Sequence, residues 1–151
     1  MRDRRFVAEH RGGPLAKEQH KNLVAWACDC AEHVLNLYGE ALDERLTHAL
    51  HVARQWGLGN ASVGDARKAS VGAIAVANEN TKQTAIAVAR CVGHAVAAAH
   101  MADHSLGAAL YALKAVKNAG KSHIEERKWQ DKQLQPAIRK LVLAVRKNRK
   151  V

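Results

Sequence analysis

The stretch "GHAVAAAHMADHS", Gly93 to Ser105, sets three histidines and an aspartate in a run of alanines. Read as one straight helix, it puts His100 and His104 about 40° apart on one face, a spacing that can serve a metal. His94 then lies about 120° round from His100 and does not join them. Read as two helices meeting at Ala102-Asp103, it makes Asp103 the N-cap of the second, its carboxylate accepting from the backbone N–H of Ser105 or Leu106. His100 then sits in the last turn of one helix, near its negative end, and His104 in the first turn of the next. We adopt the corner. A structural role, a binding role and metal chemistry stay open for its histidines, in that order of preference. The hydrolytic signature needs Glu directly after the first His, and Met101 stands there.

Outward from this corner the pattern is helical throughout. Leu23, Trp26, Ala27, Cys30, Val34 and Leu37 form one stripe, with Gly39 as its stop. Asp43 caps a second helix that carries Leu46, Ala49, Leu50 and Ala53 and breaks at Gly57-Leu58-Gly59-Asn60. Ser62 and Asp65 resemble a capping box for a third helix bearing Ala66, Ala69, Ser70, Ala73 and Ala77. Thr81 caps the fourth, whose stripe is Ala85, Val88, Ala89, Val92, Val96 and Ala99. The fifth carries Leu106, Ala109, Leu110 and Leu113 and ends at Gly120. Ser122 and Glu125 open a sixth with Trp129, and Pro136 opens a seventh with Ile138, Leu141, Val142 and Val145. No segment alternates with period two. The fold class is all-α: a single-domain array or bundle of about seven helices, compatible with stacked helical hairpins. Ser70-Val71-Gly72-Ala73 echoes as Ser105-Leu106-Gly107-Ala108, each glycine suited to close helix approach.

The 151 residues can bury a core without metals or disulfides. Aromatics are only 4%, so Ala, Val and Leu build that core. The formal net charge is +10, which favours anionic partners. Arg2, Arg4, Arg5 and Arg11 crowd the start; Arg139, Lys140, Arg146, Lys147, Arg149 and Lys150 crowd the end. We divide the chain into a basic N-terminal arm (1–13), a helical domain (14–146) and a basic C-terminal tail (147–151). Such tails are usually solvated, and the alternative is a footprint for a polyanion. Cys28, Cys30 and Cys91 are odd in number, and the first two point about 200° apart on a helix. All three read as small apolar residues of a cytoplasmic protein. No signal peptide and no bilayer-spanning run is evident. Gly57-Leu58-Gly59 with Gly64 lacks the strand and the Lys of a phosphate loop. Trp129, among Arg127, Lys128 and Lys132, can stack on a base but more often anchors a helix.

Five stretches in order carry a resemblance: "RDRRFVAEHRGGPL" (2–15), "GDARKAS" (64–70), "GHAVAAAHMADHSLGAALYALKAV" (93–116), "EERKWQ" (125–130) and "LQPAIRKLV" (134–142). Together they resemble an immunity protein family of bacterial polymorphic toxin systems, among relatives of the fifth immunity family. The resemblance covers nearly the whole chain. It implies an all-helical protein that binds and neutralises a cognate toxin, and it supplies no catalytic residue. It places family histidines at His94, His100 and His104, ahead of the run Gly107–Ala112, with a breaking or capping residue at Ala102-Asp103. Immunity proteins against nucleases are often acidic. This chain is basic, which implies a toxin with an acidic surface or one that is not a nuclease.

The preferred reading is therefore a protein that binds a cognate toxin and is not an enzyme. The runner-up is a nucleic-acid-binding helical protein, its basic tails making nonspecific contacts. A metal-dependent hydrolase built on His94, His100, Asp103 and His104 ranks third. Candidate binding residues are His94, His100, Asp103, His104, Arg67, Arg90 and Trp129. No catalytic residue, metal ligand or cofactor is assigned, and no membrane partner.

Overall fold

The computed structural model describes residues 2–39 and 41–149. Seven α-helices follow one another: α1 (Lys17–Val34), α2 (Glu44–Gly57), α3 (Val63–Glu79), α4 (Gln83–Ala97), α5 (His104–Asn118), α6 (His123–Lys132) and α7 (Pro136–Arg149). The fold is all-α. Among the described residues there is no strand, only an isolated bridge between Ala8 and Leu15.

The centre is α4. Ala85, Val88, Ala89, Val92 and Val96 of its stripe are buried, and so are Ala87, Cys91, Gly93 and Ala95 off that stripe. A helix with so wide an apolar face must be covered on most of its sides. Four helices do this: α1, α2, α3 and α5 all pack on α4, while α6 packs on α5 and α7 on α1. The enclosing faces are small too: Ala27, Ala31, Ala49, Ala53, Ala73, Ala108, Ala109 and Ala112 have at most a trace of exposed surface. No helix among the described residues is long and apolar enough to cross a membrane.

Local signals set most boundaries. Ser62 and Asp65 exchange their bonds as a full capping box, at 3.0 and 2.9 Å. Asp43 accepts from the Arg45 N–H at 3.0 Å, and the Ser122 hydroxyl accepts from the Glu125 N–H at 3.2 Å. Two expectations need correction. Thr81 does not cap α4: the N-cap is Lys82, which makes no side-chain cap bond. Asn80 already leaves α3 in extended conformation, pinned to the Tyr38 hydroxyl at 2.9 Å, so the linker passes Thr81 before the helix begins. Nor does α1 run to Gly39; it tightens into a 3-10 turn at Leu35–Leu37. The Ser-x-Gly-Ala echo does not mark equivalent packing. A Cβ at Gly107 would lie 2.6 Å from His94 Nδ1, whereas one at Gly72 would meet Arg45 Cβ at an ordinary 3.9 Å.

The ends of the chain are less free than their charge suggests. Phe6 is buried in the core with Leu15, and the segment between them folds back, Leu15 N–H donating to the Val7 carbonyl at 3.0 Å. Lys147 to Arg149 continue α7; the last two positions of the tail, Lys150 and Val151, lie outside the described residues, as does Met1 at the start of the arm. Arg146 is 2% exposed. Its guanidinium lies 5.1 Å from the Trp26 ring centroid, donates to Asp131 at 2.7 Å and reaches the Gln130 side-chain oxygen at 2.5 Å. Gln130 in turn donates to the Ala109 carbonyl, and Trp26 donates to the Gln130 carbonyl. One side chain of α7 thus ties α1, α5 and α6 together. Cys28, Cys30 and Cys91 are free and fully buried, and burial pushes the Cys28 thiol up to about 12.

Replacing Arg146 by Ala removes packing against Trp26 and strands the Gln130 oxygen. The expected loss is about 3 kcal/mol in urea titration, and Arg146→Met, which keeps the volume, should lose less. Equal stability of Arg146→Ala and wild type would refute the tie.

Candidate functional site

Two helical stripes of equal spacing face each other. On α3 they are Arg67, Ser70, Val71 and Ile74; on α4 they are Arg90, Gly93, His94 and Ala97. Positions i, i+3, i+4 and i+7 share one face of a helix. Between them runs a groove of about 360 Å³, closed at one end by His100 and His104. The groove exists because Ser70, Gly93 and Ala97 are too small to fill it. Its lip is apolar: Val71 is 67% and Ile74 46% exposed.

The corner that closes the groove is a true break. α4 ends at Ala97 and α5 begins at His104, with tight turns between: His100 N–H donates to the Ala97 carbonyl, and His104 N–H to the Met101 carbonyl, each at 3.0 Å. Asp103 stands at the N-cap position but does not cap, which corrects its expected role. Its φ and ψ, −66° and −16°, are already helical, and no side-chain cap bond forms. A capping side chain needs an extended backbone to reach back over the first turn. The Asp103 carboxylate instead pairs with Arg2 of the N-terminal segment. The Leu106 N–H goes to the Asp103 backbone carbonyl at 3.1 Å.

His94 and His104 meet directly, Nδ1 to Nδ1 at 3.0 Å. Only one of these nitrogens can carry the proton between them, so the pair is stable with both rings neutral. Burial, followed by the neighbouring His104, pushes His94 down to about 4, with Asp103 opposing. Burial also lowers His104. Tyr111 of α5 stacks on His94, centroids 5.2 Å apart and planes 17° off parallel, and Lys114 Nζ lies 4.7 Å from the tyrosine ring centroid. Gly107 leaves the space that the His94 ring occupies.

His100 faces two guanidinium groups. Arg11 Nη2 is 3.3 Å from its Nδ1, and Arg67 Nη2 is 3.3 Å from its Nε2. Burial, then Arg67 and Arg11, lower its pKa. Arg11 also reaches the Met101 sulfur at 3.2 Å. Its segment is held in place by a close approach: a Cβ at Gly13 would fall 2.0 Å from the Val7 carbonyl oxygen.

Five of the residues singled out in the sequence therefore line one groove: Arg67, Arg90, His94, His100 and His104. Asp103 lies on the adjoining surface with Arg2 and Gly107, behind the His94–His104 pair. Trp129 is elsewhere. Its ring stacks on His33 of α1, 3.5 Å between centroids and 6° off parallel, and His33 bonds Glu126 at 2.6 Å. It anchors α6 to α1. Sequence reasoning missed Val71 and Ile74 as the lip, Tyr111 as the stacking partner, and Arg11 as a corner residue. Phe6 ahead of Gly12-Gly13 was the available sign that the basic arm folds back.

The groove offers cations, neutral hydrogen-bond donors and apolar surface. Among the described residues no group of three His, Cys, Asp or Glu is arranged to hold a metal ion. Residues 13–137 match the model of a family described as Imm-5 like putative immunity protein. Neither the curated proteins nor the solved structures contain a match to the chain.

Because folding lowers His94 to about 4 from an ordinary 6.5, the unfolded chain binds more protons between those values. Stability is then full above about pH 6.5 and falls as the pH drops toward 4. His104 and His20, also lowered by burial, act in the same direction. Urea midpoints measured from pH 7 down to pH 4 should decline, and His94→Gln should flatten the decline. Parallel curves for the variant and wild type would contradict this assignment.

Proposed function

The chain belongs to the Imm-5 like putative immunity protein family, and from that premise we propose that it binds a cognate toxin protein and blocks it by covering its working surface. The family match over residues 13–137 is the observation that carries this reading. The mechanism is steric and needs no chemistry from the chain. A preformed helical backbone loses little entropy on binding. The α3–α4 groove is the face that best fits such a role. It combines exposed apolar side chains, Val71 and Ile74, with the cations Arg67 and Arg90. Arginine is enriched among the residues that carry binding energy at protein contacts, and the apolar side chains beside it add area removed from water.

The net charge of +10 supports a partner surface that is acidic. Opposite charge accelerates encounter and rejects like-charged competitors. The buried thiols and the mutually bonded His94 and His104 fit a binding protein better than a catalyst. The proposal places the protein in the compartment where its toxin would act on the producing cell.

The test is growth. Where a toxin is encoded in a neighbouring reading frame, cells expressing it should survive when this chain is co-expressed and die without it. Reversing Arg67 and Arg90 to Glu should weaken the purified complex by about tenfold or more, equivalent to about 1.4 kcal/mol. Death in the presence of the wild-type chain would sink the immunity reading. Undiminished affinity of the reversed variant would remove the groove from the interface.

A further inference from the structure

We propose that Arg11, Arg67 and His100 form a carboxylate seat at the closed end of the α3–α4 groove, occupied by an acidic side chain that a partner protein carries beside an apolar one. This deepens the toxin-binding reading and rests on it for the identity of the partner.

The first argument is a mismatch of donors. A guanidinium can only donate. A neutral imidazole has one nitrogen that accepts and one N–H that donates. Yet a guanidinium nitrogen stands 3.3 Å from each of the two ring nitrogens of His100. One of these contacts satisfies both partners; the other sets donor against donor. A carboxylate seated at that edge accepts from the imidazole N–H and the guanidinium together. Carboxylates bind such a fork with charge-assisted bonds, stronger than neutral ones.

The second argument is the distribution of acids. Arg2, Arg5, Arg45, Arg54 and Arg146 each hold a carboxylate of the chain. Among the described residues no ion pair engages Arg11, Arg67 or Arg90. The acids near these residues are engaged elsewhere: Asp103 pairs with Arg2, Asp65 accepts from the Ser62 N–H, and Glu9 accepts from the Lys17 N–H. The positive charge at the groove's end is therefore left for an external anion.

The third argument is that the seat is built. Its three members come from separate segments: the folded-back arm, α3 and the α4–α5 corner. The arm is fixed by buried Phe6 and by the Gly13–Val7 approach, and Arg4 donates to the Gly12 carbonyl at 3.2 Å. Beyond Arg67, the α3 side of the groove turns apolar at Val71 and Ile74. A nucleic acid repeats its charge along the strand; here the further groove cation is Arg90 alone, on the α4 side, beside the exposed apolar Val71 and Ile74. An acidic side chain followed by an apolar one matches the sequence of surfaces along this groove.

The seat can be tested on the full chain by side-chain NMR. The probe is the acetylated, amidated peptide Gly-Leu-Glu-Leu-Gly, with its Gln counterpart as control. The Glu peptide should shift the His100 ring nitrogens and the side-chain N–H signals of Arg11 and Arg67, and bind about tenfold tighter than the Gln peptide. The double variant Arg11→Gln with Arg67→Gln, both exposed positions, should lose this preference. Binding should also raise the His100 pKa, which a purely structural role would not do. Equal binding of the two peptides, or shifts confined to other residues, would overturn the seat. So would a short oligothymidylate that displaces the Glu peptide and binds the same residues more tightly. Toxin protection separates the two readings. Full protection by the double variant overturns the seat as the partner's contact and leaves immunity standing. A wild-type chain that prefers the Glu peptide but gives no protection leaves the seat standing and removes immunity.

Discussion

Covering α4 on every side but the one that carries Arg90 is the constraint from which the rest follows. Its neighbours can surround it only if the contact faces are small, and alanines at nearly every contact meet that demand. Small contacts supply little apolar area each, about 25 cal/mol per Å² buried, so the core needs many of them and few gaps. Close approach also traps helix ends inside the molecule, where a bare carbonyl is costly. Buried polar side chains meet backbone carbonyls in this core. His20 reaches the Ala98 carbonyl just past α4 at 2.7 Å, and Gln130 reaches Ala109 on α5 at 3.1 Å. The same economy of size opens the groove. A Cβ at Gly93 would find Ile74 at 3.5 Å and Ala73 at 3.7 Å, ordinary contact distances, so packing alone does not demand glycine there. The small residue keeps the floor low.

What the sequence made legible was local. Ser62 with Asp65, Asp43 and Pro136 act through the one or two turns that follow them, and each marks a real helix start. The break after His100 was legible for the same reason. What could not be read was where a side chain goes once it leaves its own helix. Asp103 has the chemistry of a cap, but the choice between capping and pairing with Arg2 depends on a segment a hundred residues earlier. The stripe on α4 was read too narrowly because alanine signals neither face. Arg146 is a different failure. It lies four residues after Val142 and eight after Ile138, on the apolar face of α7, so periodicity pointed inward while charge pointed outward. Trp26 and Asp131 decide the contest by giving the guanidinium an aromatic face and a carboxylate.

Charge shows how such pairings leave a residue of function. The chain has 24 Lys and Arg against 14 Asp and Glu, so the acids cannot serve every cation. Several of them hold elements together. Asp29 and Glu32 join Arg54 across α1 and α2; Glu79 joins Arg45 across α2 and α3, and Asp43 holds the same guanidinium at the start of α2. The groove end receives none of them. Its excess charge is thus the remainder of a structural allocation, concentrated where α3 and the arm converge.

The histidines set how that remainder behaves with pH. Burial, with His104 beside it, lowers His94 to about 4, and burial lowers His104 too, so the bonded pair favours two neutral rings that donate and accept. His100 is more open and is lowered by burial and by its two arginines. An anion at the seat would offset the arginine contribution and return the imidazolium toward favour. The groove therefore has a buried neutral wall and a rim whose charge responds to what it holds. A rim of that kind discriminates by occupant: an acid pairs with the two guanidinium groups and favours the protonated ring, whereas its amide brings no charge to either.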